Sequence, residues 1–394
     1  MLNKRYDSLT PSFRILSASM KKIGVLTQPL GSNYGGLLQA FALQTAITQL
    51  GFQGEVVEHG RSYHSLEKPI LRNAKLALLF VLKYLTKKST RHVCPPFIYR
   101  SIFYPFVQAH IPASGYLGAE GIIANHDRYE KFIVGSDQTW RRAYNGSVSE
   151  GFMFLDFLPL EKRQKSFTYA ASFGTDEWEG AEGNIPACSQ ALSELRAIST
   201  REHSGVDICR DTFGVSAVQM PDPTLLLTAE DYNAVIPEKV KTPPAPYIGN
   251  YVLDSSPQIK TLLSSLSSSL QLPLHGLMPD DLALNPLKRL PMRVPQWLAS
   301  IRGASYMLTD SFHGCVFCII YNIPFICLGN KGRGSARFDS LLRTFGLESR
   351  LVTDHDTESI LTLLRTPIDW ERVNAIRATE RDHGRAFLSE NLAD

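Results

Sequence analysis

Short apolar segments alternate with longer helical segments along most of this chain, and no other feature of the sequence limits the possible folds so strongly. The apolar run 23–27 is followed by residues 38–50, in which apolar side chains recur every three or four positions, and then by the strand-like run 54–58. Strands separated by helices usually pair in parallel, because a parallel pair needs a long connection. The sequence therefore predicts an α/β fold with doubly wound parallel sheets.

The alternation occurs twice, on either side of a proline-rich segment. Residues 237–246 read PEKVKTPPAP, which is typical of a linker. A chain of 394 residues is long enough for two α/β domains. We expect a Rossmann-like N-terminal domain at 21–236, a Rossmann-like C-terminal domain at 247–350, and C-terminal helices at 351–394 that pack back on the domains. Residues 1–20 are expected to be a disordered tail or an over-long start.

Composition and charge exclude several classes of function. The net charge is only +3, so we expect no nucleic-acid partner. The first 20 residues contain no continuous apolar stretch, so we expect the protein in the cytoplasm. Cys315 and Cys318 form a C-x-x-C in an apolar segment without a second ligand pair, which favours buried thiols and no metal site. The oligomeric state is unknown from the sequence.

Residues 70–91 form a strongly apolar and basic helical segment, ILRNAKLALLFVLKYLTKKSTR. One interpretation is a core helix that ends in a solvated group of lysines and arginines. The other is an interfacial helix that holds the protein at the inner face of a membrane, near lipid-linked substrates. Both interpretations fit the residue pattern.

Polar loops follow the strand-like runs of the N-terminal half. The glycine-rich loop 31–36 follows the first strand, and loops 135–138, 171–174 and 201–202 follow later ones. Ligands of open parallel sheets bind beyond the carboxyl ends of the strands, so these loops should share one rim at a cleft between the domains. The loop 31–36 lacks the G-x-G-x-x-G and P-loop patterns, and it therefore indicates an anion site or a simple tight turn rather than a dinucleotide site.

Two loops in the second half carry groups that suit an anion. Residues 310–314, DSFHG, place His313 at the start of an apolar helix, where the helix dipole disfavours a charged imidazole unless an anion binds nearby. Residues 330–337, NKGRGSAR, place three cations beside two glycines ahead of another helix. The alternatives are a histidine that only caps its helix and a solvated charged loop. Taken together with Arg201, the loops predict an anion site.

Seven sequence blocks in this order resemble the polysaccharide pyruvyltransferase family: GSNYGGLLQAFALQTAITQLGF, FIVGSDQTW, YAASFG, STRE, DPTLLL, TDSFHGCVFCIIYNIPFICLGN and GRGSARFDSLL. The resemblance covers roughly residues 21–350. It implies a two-domain fold similar to GT-B glycosyltransferases. It also implies transfer of a pyruvyl group from phosphoenolpyruvate to two hydroxyls of a sugar, in a polysaccharide or its lipid-linked precursor. Phosphoenolpyruvate would be a co-substrate, and no cofactor is expected.

The resemblance also implies roles for individual residues. We expect His313, Asp137 and Arg201 to be catalytic, with His313 as general acid or phosphate contact and Asp137 as a base. The donor would be held by Arg201, Ser311, His313, Gly314, Lys331, Arg333 and Arg337. The acceptor side of the cleft would be formed by Asn33, Tyr34, Gly35, Ser136, Asp137 and Gln138.

One position departs from the family pattern. Members of the family often carry an arginine two residues before the histidine, and this chain has Ser311 there. Either another cation replaces that arginine, with Arg333 and Arg337 as candidates, or the donor differs. Two alternative functions therefore stay open: a GT-B-type glycosyltransferase that uses a nucleotide sugar, and a non-catalytic relative within a polysaccharide assembly complex.

Overall fold

The structure, a computed structural model, describes residues 22–60, 70–86, 95–146, 148–149, 151–244, 246–280, 282–329 and 336–393. The N-terminal half is built on a parallel sheet of order β3-β2-β1-β4-β5. Its strands are β1 (Lys22–Leu26), β2 (Gln53–Glu58), β3 (Ala113–Tyr116), β4 (Lys131–Val134), β5 (Phe167–Thr168), β6 (Ser199–Thr200) and β7 (Val218–Gln219). Its helices are α1 (Tyr34–Gln49), α2 (Ile70–Leu85), α3 (Pro96–His110), α4 (Gly118–Ala124), α5 (Leu160–Arg163), α6 (Ile185–Ser193), α7 (His203–Asp211) and α8 (Ala229–Ala234).

The C-terminal half repeats this architecture on a second parallel sheet, of order β12-β11-β10-β8-β9. Its strands are β8 (Ile248–Tyr251), β9 (Leu274–Gly276), β10 (Tyr306–Thr309), β11 (Phe325–Leu328) and β12 (Leu351–Val352). Its helices are α9 (Pro257–Leu270), α10 (Val294–Arg302), α11 (Phe312–Tyr321) and α12 (Ala336–Phe345), followed by α13 (Thr357–Arg365) and α14 (Trp370–Leu392). The predicted fold class, two doubly wound α/β domains, is confirmed. The boundary drawn at residue 350 falls just before the last strand of this sheet.

β1 lies at the centre of the first sheet because both of its faces are apolar. It pairs in parallel with β2 and with β4, with Ile23 opposite Gly54 and Lys131. Ile23 and Val25 are fully buried, as expected for a parallel sheet that is covered by helices on both faces. Gly24 is required here, since a Cβ at this position would lie 2.8 Å from the ring of Phe132. The chain leaves β1 at the carboxyl edge of the sheet and enters α1.

β6 and β7 extend the first sheet beyond β5. They pair with each other in parallel, and single bridges join Phe167 to Ala197 and Ala171 to Thr200. The carboxyl ends of β4, β5, β6 and β7 consequently lie on one side of the domain. That arrangement places the polar loops after these strands next to one another.

α14 starts beside the C-terminal domain and ends on the N-terminal one. The ring of Phe387 packs against Phe167 and Tyr169, with centroids 6.1 Å apart in both pairs. At the end of the helix, the buried amine of Lys131 donates hydrogen bonds to the carbonyl oxygens of Asn391 (3.3 Å) and Leu392 (3.0 Å). A cation at this end of a helix is favourable, because the helix dipole is negative there.

α2 is not a core helix. None of its described side chains is buried, and several of its leucines are among the most exposed apolar residues of the described chain. The core interpretation of residues 70–91 is therefore wrong for residues 74–85, and the side chains of residues 70–73 and all of residues 87–91 lie outside the described part of the chain. Among the helices that the structure describes, none combines the length and hydropathy needed to cross a bilayer.

Candidate active site

A cavity of about 320 Å³ opens between the two domains. The N-terminal domain contributes the residues before α1 and the loop after β4, and the C-terminal domain contributes the start of α11 and the first turn of α12. Each contribution comes from the carboxyl end of a parallel strand or from a helix start, where parallel sheets place their ligands. The lining includes Gln28, Asn33, Asp137, Gln138, Arg141, Tyr144, Asp310, Ser311, His313 and Arg337.

The N-termini of α1 and α11 meet at this cavity. Asn33 caps α1 by accepting a hydrogen bond from the amide of Gly35, and Ser311 caps α11 by accepting one from the amide of Gly314. The helices approach so closely that a Cβ on Gly35 would lie 2.0 Å from Nδ1 of His313. Glycine at position 35 therefore makes room for the imidazole. Two positive helix ends directed at one space favour an anion there.

His313 faces a buried carboxylate from the other domain. Its Nε2 lies 3.5 Å from Oδ2 of Asp222, an ion-pair distance that is longer than an ordinary hydrogen bond. Oδ1 of Asp222 accepts from the hydroxyl of Thr224 (2.7 Å), and Oδ2 accepts from Arg201 (3.0 Å) and Ser136 (3.2 Å). Burial alone would raise the pKa of Asp222, but His313 and Arg201 hold that pKa well below its usual range. Asp222 is therefore a fixed negative charge behind the imidazole.

Arg201 lies behind the wall of the cavity and not on its surface. Its guanidinium donates to Asp222 and to the hydroxyl of Ser172 (3.1 Å), and Glu202 lies 3.5 Å away. The guanidinium also lies over the ring of Phe312, 4.5 Å from its centroid. Burial lowers the pKa of Arg201, but Glu202 and Asp222 more than offset this, and the pKa is raised. The structure thus gives Arg201 partners behind the cavity wall, and its expected role as a direct donor ligand stays a prediction.

Arg337 reaches the cavity from the first turn of α12. Burial lowers its pKa, and the charge of Arg201 lowers it further, while Glu202 and Asp137 act in the opposite direction. A bound anion would stabilise the charged form of Arg337, because a negative charge nearby compensates for the solvation that the guanidinium loses on burial. Lys331 and Arg333, the other cations of the predicted loop, lie outside the described residues.

Asp137 and Gln138 line the N-terminal side of the cavity. Asp137 has a φ of +71°, a conformation that few residues other than glycine adopt, and its Oδ1 accepts from the amide of Gln138 (2.9 Å). Its Oδ2 lies near the start of α1, since a Cβ on Gly36 would lie 3.3 Å from that oxygen. Gln138 accepts a hydrogen bond from Arg141 (2.9 Å). Backbone strain at a cavity is typical of functional sites.

Two residues of the expected acceptor side do not line the cavity. The ring of Tyr34 is buried between the domains, stacked on Trp297 with centroids 5.1 Å apart, and its hydroxyl donates to the carbonyl oxygen of Met292 (2.8 Å). The hydroxyl of Ser136 is fully buried and donates to Asp222. Tyr34 therefore joins the domains, and Ser136 holds the carboxylate behind His313.

Comparison with known sequences decides the family. The sequence profile described as polysaccharide pyruvyl transferase matches residues 33–332, about three quarters of the chain. The chain belongs to the polysaccharide pyruvyl transferase family. The resemblance noted from the sequence blocks is thereby confirmed. No curated protein matches the chain in sequence.

Solved structures share the fold of this pyruvyl transferase family member. The UDP-GlcNAc 2-epimerase from Neisseria meningitidis, bound to UDP-GlcNAc, superposes with a TM-score of 0.50 at 9% identity, over 95% of this chain and 99% of that one. The spinosyn forosaminyltransferase SpnP gives a TM-score of 0.50 at 12% identity, over 95% and 100% of the two chains. At such identities the similarity shows the fold alone, a GT-B-like pair of domains.

Sequence reasoning missed two residues at this cavity. Asp222 is the first residue of the DPTLLL block, but nothing in the sequence indicates that its carboxylate faces His313, 91 positions further on. Arg141 follows the FIVGSDQTW block directly, and its place after a strand-end loop was a usable signal. Among the described residues, no group of histidine, cysteine or carboxylate side chains has the arrangement of a metal site. Cys315 and Cys318 are buried thiols that form no disulfide.

Proposed function

We propose that this family member transfers the pyruvyl group of phosphoenolpyruvate to two hydroxyls of a sugar, in a cell-surface polysaccharide or its lipid-linked precursor. The products would be a pyruvate ketal and phosphate. One observation carries the proposal: Arg337, His313 and the N-termini of α1 and α11 face the same cavity. Because phosphoenolpyruvate is an intracellular metabolite, the reaction would take place in the cytoplasm.

The donor carries two anionic groups, a phosphate and a carboxylate. The amides at the starts of α1 and α11 suit one of them, and the guanidinium of Arg337 suits the other in a bidentate way. Arg337 shares the cavity with Ser311, where the family pattern often has an arginine. We therefore assign the charge that is missing at position 311 to Arg337, which enters from α12 instead of α11.

The reaction needs one proton donor and one base. A proton adds to C3 of phosphoenolpyruvate, and the first sugar oxygen forms a bond to C2 and loses its proton. The bond between C2 and the phosphate oxygen then breaks, phosphate leaves with the electron pair, and the second hydroxyl attacks C2. Of the two hydroxyl protons, one balances the proton gained at C3 and the other leaves with phosphate.

His313 and Asp137 are our candidates for these roles. His313 would deliver the proton to C3, with Asp222 fixed behind its Nε2 to stabilise the imidazolium, much as a carboxylate orients a catalytic histidine. Asp137 would accept the hydroxyl proton on the acceptor side, where Asn33 and Gln138 also line the cavity. Arg201 would act through Asp222, which it positions.

Binding of the donor can be tested before the acceptor is known. Titration calorimetry with phosphoenolpyruvate should show binding to the wild-type chain, and Arg337→Gln should weaken it at least tenfold, since a charged hydrogen bond contributes about 1.5–3 kcal/mol. Arg343→Gln is the matched control, an exposed arginine on the same helix. Adding Ser311→Arg to Arg337→Gln should recover part of the affinity, if position 311 and Arg337 serve the same group.

Turnover tests the chemistry. Phosphate release from phosphoenolpyruvate should appear with a suitable member of a panel of nucleotide sugars and lipid-linked sugars, and mass spectrometry should find the ketal on that sugar. His313→Gln should lower the rate by about 10²–10⁴-fold, the usual contribution of a general acid. The proposal fails if a nucleotide sugar binds, phosphoenolpyruvate does not, and sugar transfer is the activity found.

A further inference from the structure

α2 presents a row of apolar side chains to solvent. Leu78, Val81, Leu82 and Leu85 are spaced by three or four positions and so lie on one face of the helix. All four are exposed, with 61% of the surface of Leu78 and 69% of that of Leu85 accessible. Isolated exposed leucines are common on protein surfaces, but a complete helical face of them is not. This face has no covering element among the described residues.

A loop of the C-terminal domain adds more leucines beside α2. Leu284 and Leu287 are 78% and 73% exposed, and Leu282 is exposed as well. The hydroxyl of Tyr84, on α2, donates to the carbonyl oxygen of Leu284 (2.7 Å), and the guanidinium of Arg289 lies 4.8 Å from the centre of the Tyr84 ring. The loop is thereby held against the helix.

We call the exposed side chains of this helix face and this loop the leucine surface. Its members come from both domains, and they lie next to each other because Tyr84 and Arg289 join the two elements. The members are Leu78, Val81, Leu82, Leu85, Leu282, Leu284 and Leu287.

The sequence around the leucine surface is basic. Residues 68–119 contain eight lysines and arginines and no aspartate or glutamate. Lys75 on α2 and Lys288 in the loop are both exposed. The loop also carries Asp280, whose carboxylate accepts a hydrogen bond from the amide of Leu282 (3.2 Å). Asp281 follows Asp280 in the sequence. Apart from these two acidic positions, the described charged side chains of α2 and of this loop are lysines and arginines.

We propose that the leucine surface docks on a bilayer that contains anionic lipids. Apolar side chains on one face with lysines around them are the features of interfacial helices, which bury the apolar face at the headgroup boundary and attract anionic headgroups. The juxtaposed loop widens the contact beyond a single helix. This inference rests on exposure and charge, and it does not depend on the identity of the donor.

A second copy of the chain fits the surface less well. In a two-fold symmetric dimer the same patch faces itself, so the exposed Lys75 and Lys288 would bring like charges into one interface. A membrane with negative headgroups complements these charges and also accepts the leucines. Charge complementarity therefore selects the bilayer.

Vesicle sedimentation tests the proposal with the full chain. We expect the protein to sediment with vesicles of phosphatidylglycerol and phosphatidylethanolamine, and to sediment less with phosphatidylcholine alone or at raised salt. The double variant Leu85→Gln/Leu284→Gln should lower the partition coefficient about tenfold or more, because each leucine loses its apolar contact with the bilayer. Both side chains are exposed, so the melting temperature should stay near that of the wild type.

Leu160→Gln is the matched control, an exposed leucine on α5, and it should sediment like the wild type. The proposal is overturned if the wild-type chain stays in the supernatant with anionic vesicles, or if the double variant sediments as well as the wild type. It is also overturned if the wild type is a dimer without lipid and the double variant is a monomer, since a second copy would then be the partner of this surface.

Discussion

Asp222 holds its charge in a fully buried position because it has partners on several sides. Arg201, Ser136 and Thr224 donate to it, and His313 faces it from the other domain. A single buried carboxylate therefore links His313 to the strand-end loops of the N-terminal domain. Its removal should affect both stability and catalysis.

The variant Asp222→Asn should lower the free energy of unfolding by about 3 kcal/mol at pH 7, because it leaves Arg201 buried with fewer negative partners. The pKa of Asp222 lies below its usual range, so its ionised form stabilises the fold above about pH 4 and this contribution is lost as the pH falls. Urea denaturation should therefore show a full difference between variant and wild type at pH 7 and a smaller one near pH 3.

Asp207→Asn is the control for this measurement. Asp207 forms an exposed ion pair with Arg210 on α7, and its loss should cost less than about 1 kcal/mol. If Asp222→Asn were no more destabilising than Asp207→Asn, the buried network around Arg201 would have no energetic importance.

At the residue scale the sequence was informative about His313, Asp137 and Arg337, which line one cavity in the structure. It did not reveal that Arg201 and Tyr34 are buried away from that cavity. Both are polar residues in the matching blocks, and residue type alone does not distinguish a side chain that lines the cavity from one that is buried behind it. Their burial depends on Phe312 and Trp297, which come from the other domain, and no local pattern reports such a contact.

Helix starts are the elements that build the cavity, and their fit depends on a glycine. In the variant Gly35→Ala the new Cβ would lie only 2.0 Å from Nδ1 of His313. The imidazole or the whole start of α1 must therefore move. We expect phosphate release to fall at least a hundredfold, because a misplaced proton donor loses most of its catalytic contribution. Steady-state kinetics on the folded variant measures this.

Gly183→Ala provides the comparison, since a Cβ at that position would meet nothing within 4 Å. It should retain wild-type activity. Full activity of Gly35→Ala would show that the close contact between α1 and His313 has no part in catalysis.

The end of α14 depends on one buried amine. Lys131→Met should lower the free energy of unfolding by about 2 kcal/mol, because the carbonyl oxygens of Asn391 and Leu392 lose a charged donor and the helix dipole loses its counter-charge. Hydrogen exchange should also rise in the last turns of α14.

Lys165→Met, which removes an exposed pair with Glu161 on α5, should have little effect on either measurement. An unchanged exchange rate in α14 for Lys131→Met would mean that other contacts, such as the packing of Phe387 and the hydrogen bond from Arg196 to the carbonyl oxygen of Glu390, hold the helix without this amine. The sequence predicted helices that return to the domains, but it gave no sign of Lys131, since a lysine at the start of a strand is usually exposed.

At the scale of the whole molecule, the alternation of short apolar runs and helical segments was enough to predict two parallel α/β sheets. The signal is strong because strands buried on both faces are mostly apolar, as β11 is throughout. The relative placement of the domains could not be predicted in this way. It depends on pairs such as Tyr34 and Trp297, which are 263 positions apart and lie in unrelated patterns.

Tyr34 tests how firmly the two domains are joined. Tyr34→Phe keeps the ring on Trp297 but removes the hydrogen bond to Met292, and it should cost about 1 kcal/mol. Tyr34→Ala also removes the ring and should cost about 3–5 kcal/mol, the usual range for a buried aromatic side chain. Calorimetry should show one transition for the wild type and two for Tyr34→Ala, because the domains then unfold separately.

The same variants separate domain docking from catalysis. Tyr34 lies between Asn33 and Gly35, so release of its ring should loosen the start of α1 at the cavity and lower turnover in Tyr34→Ala, while Tyr34→Phe should keep most of its activity. Two transitions already in the wild type would mean that Tyr34 and Trp297 do not couple the domains. Equal activity of Tyr34→Phe and Tyr34→Ala would mean that contacts within the N-terminal domain set the position of α1. The shape of the cavity would then not depend on the stacking of Tyr34 on Trp297.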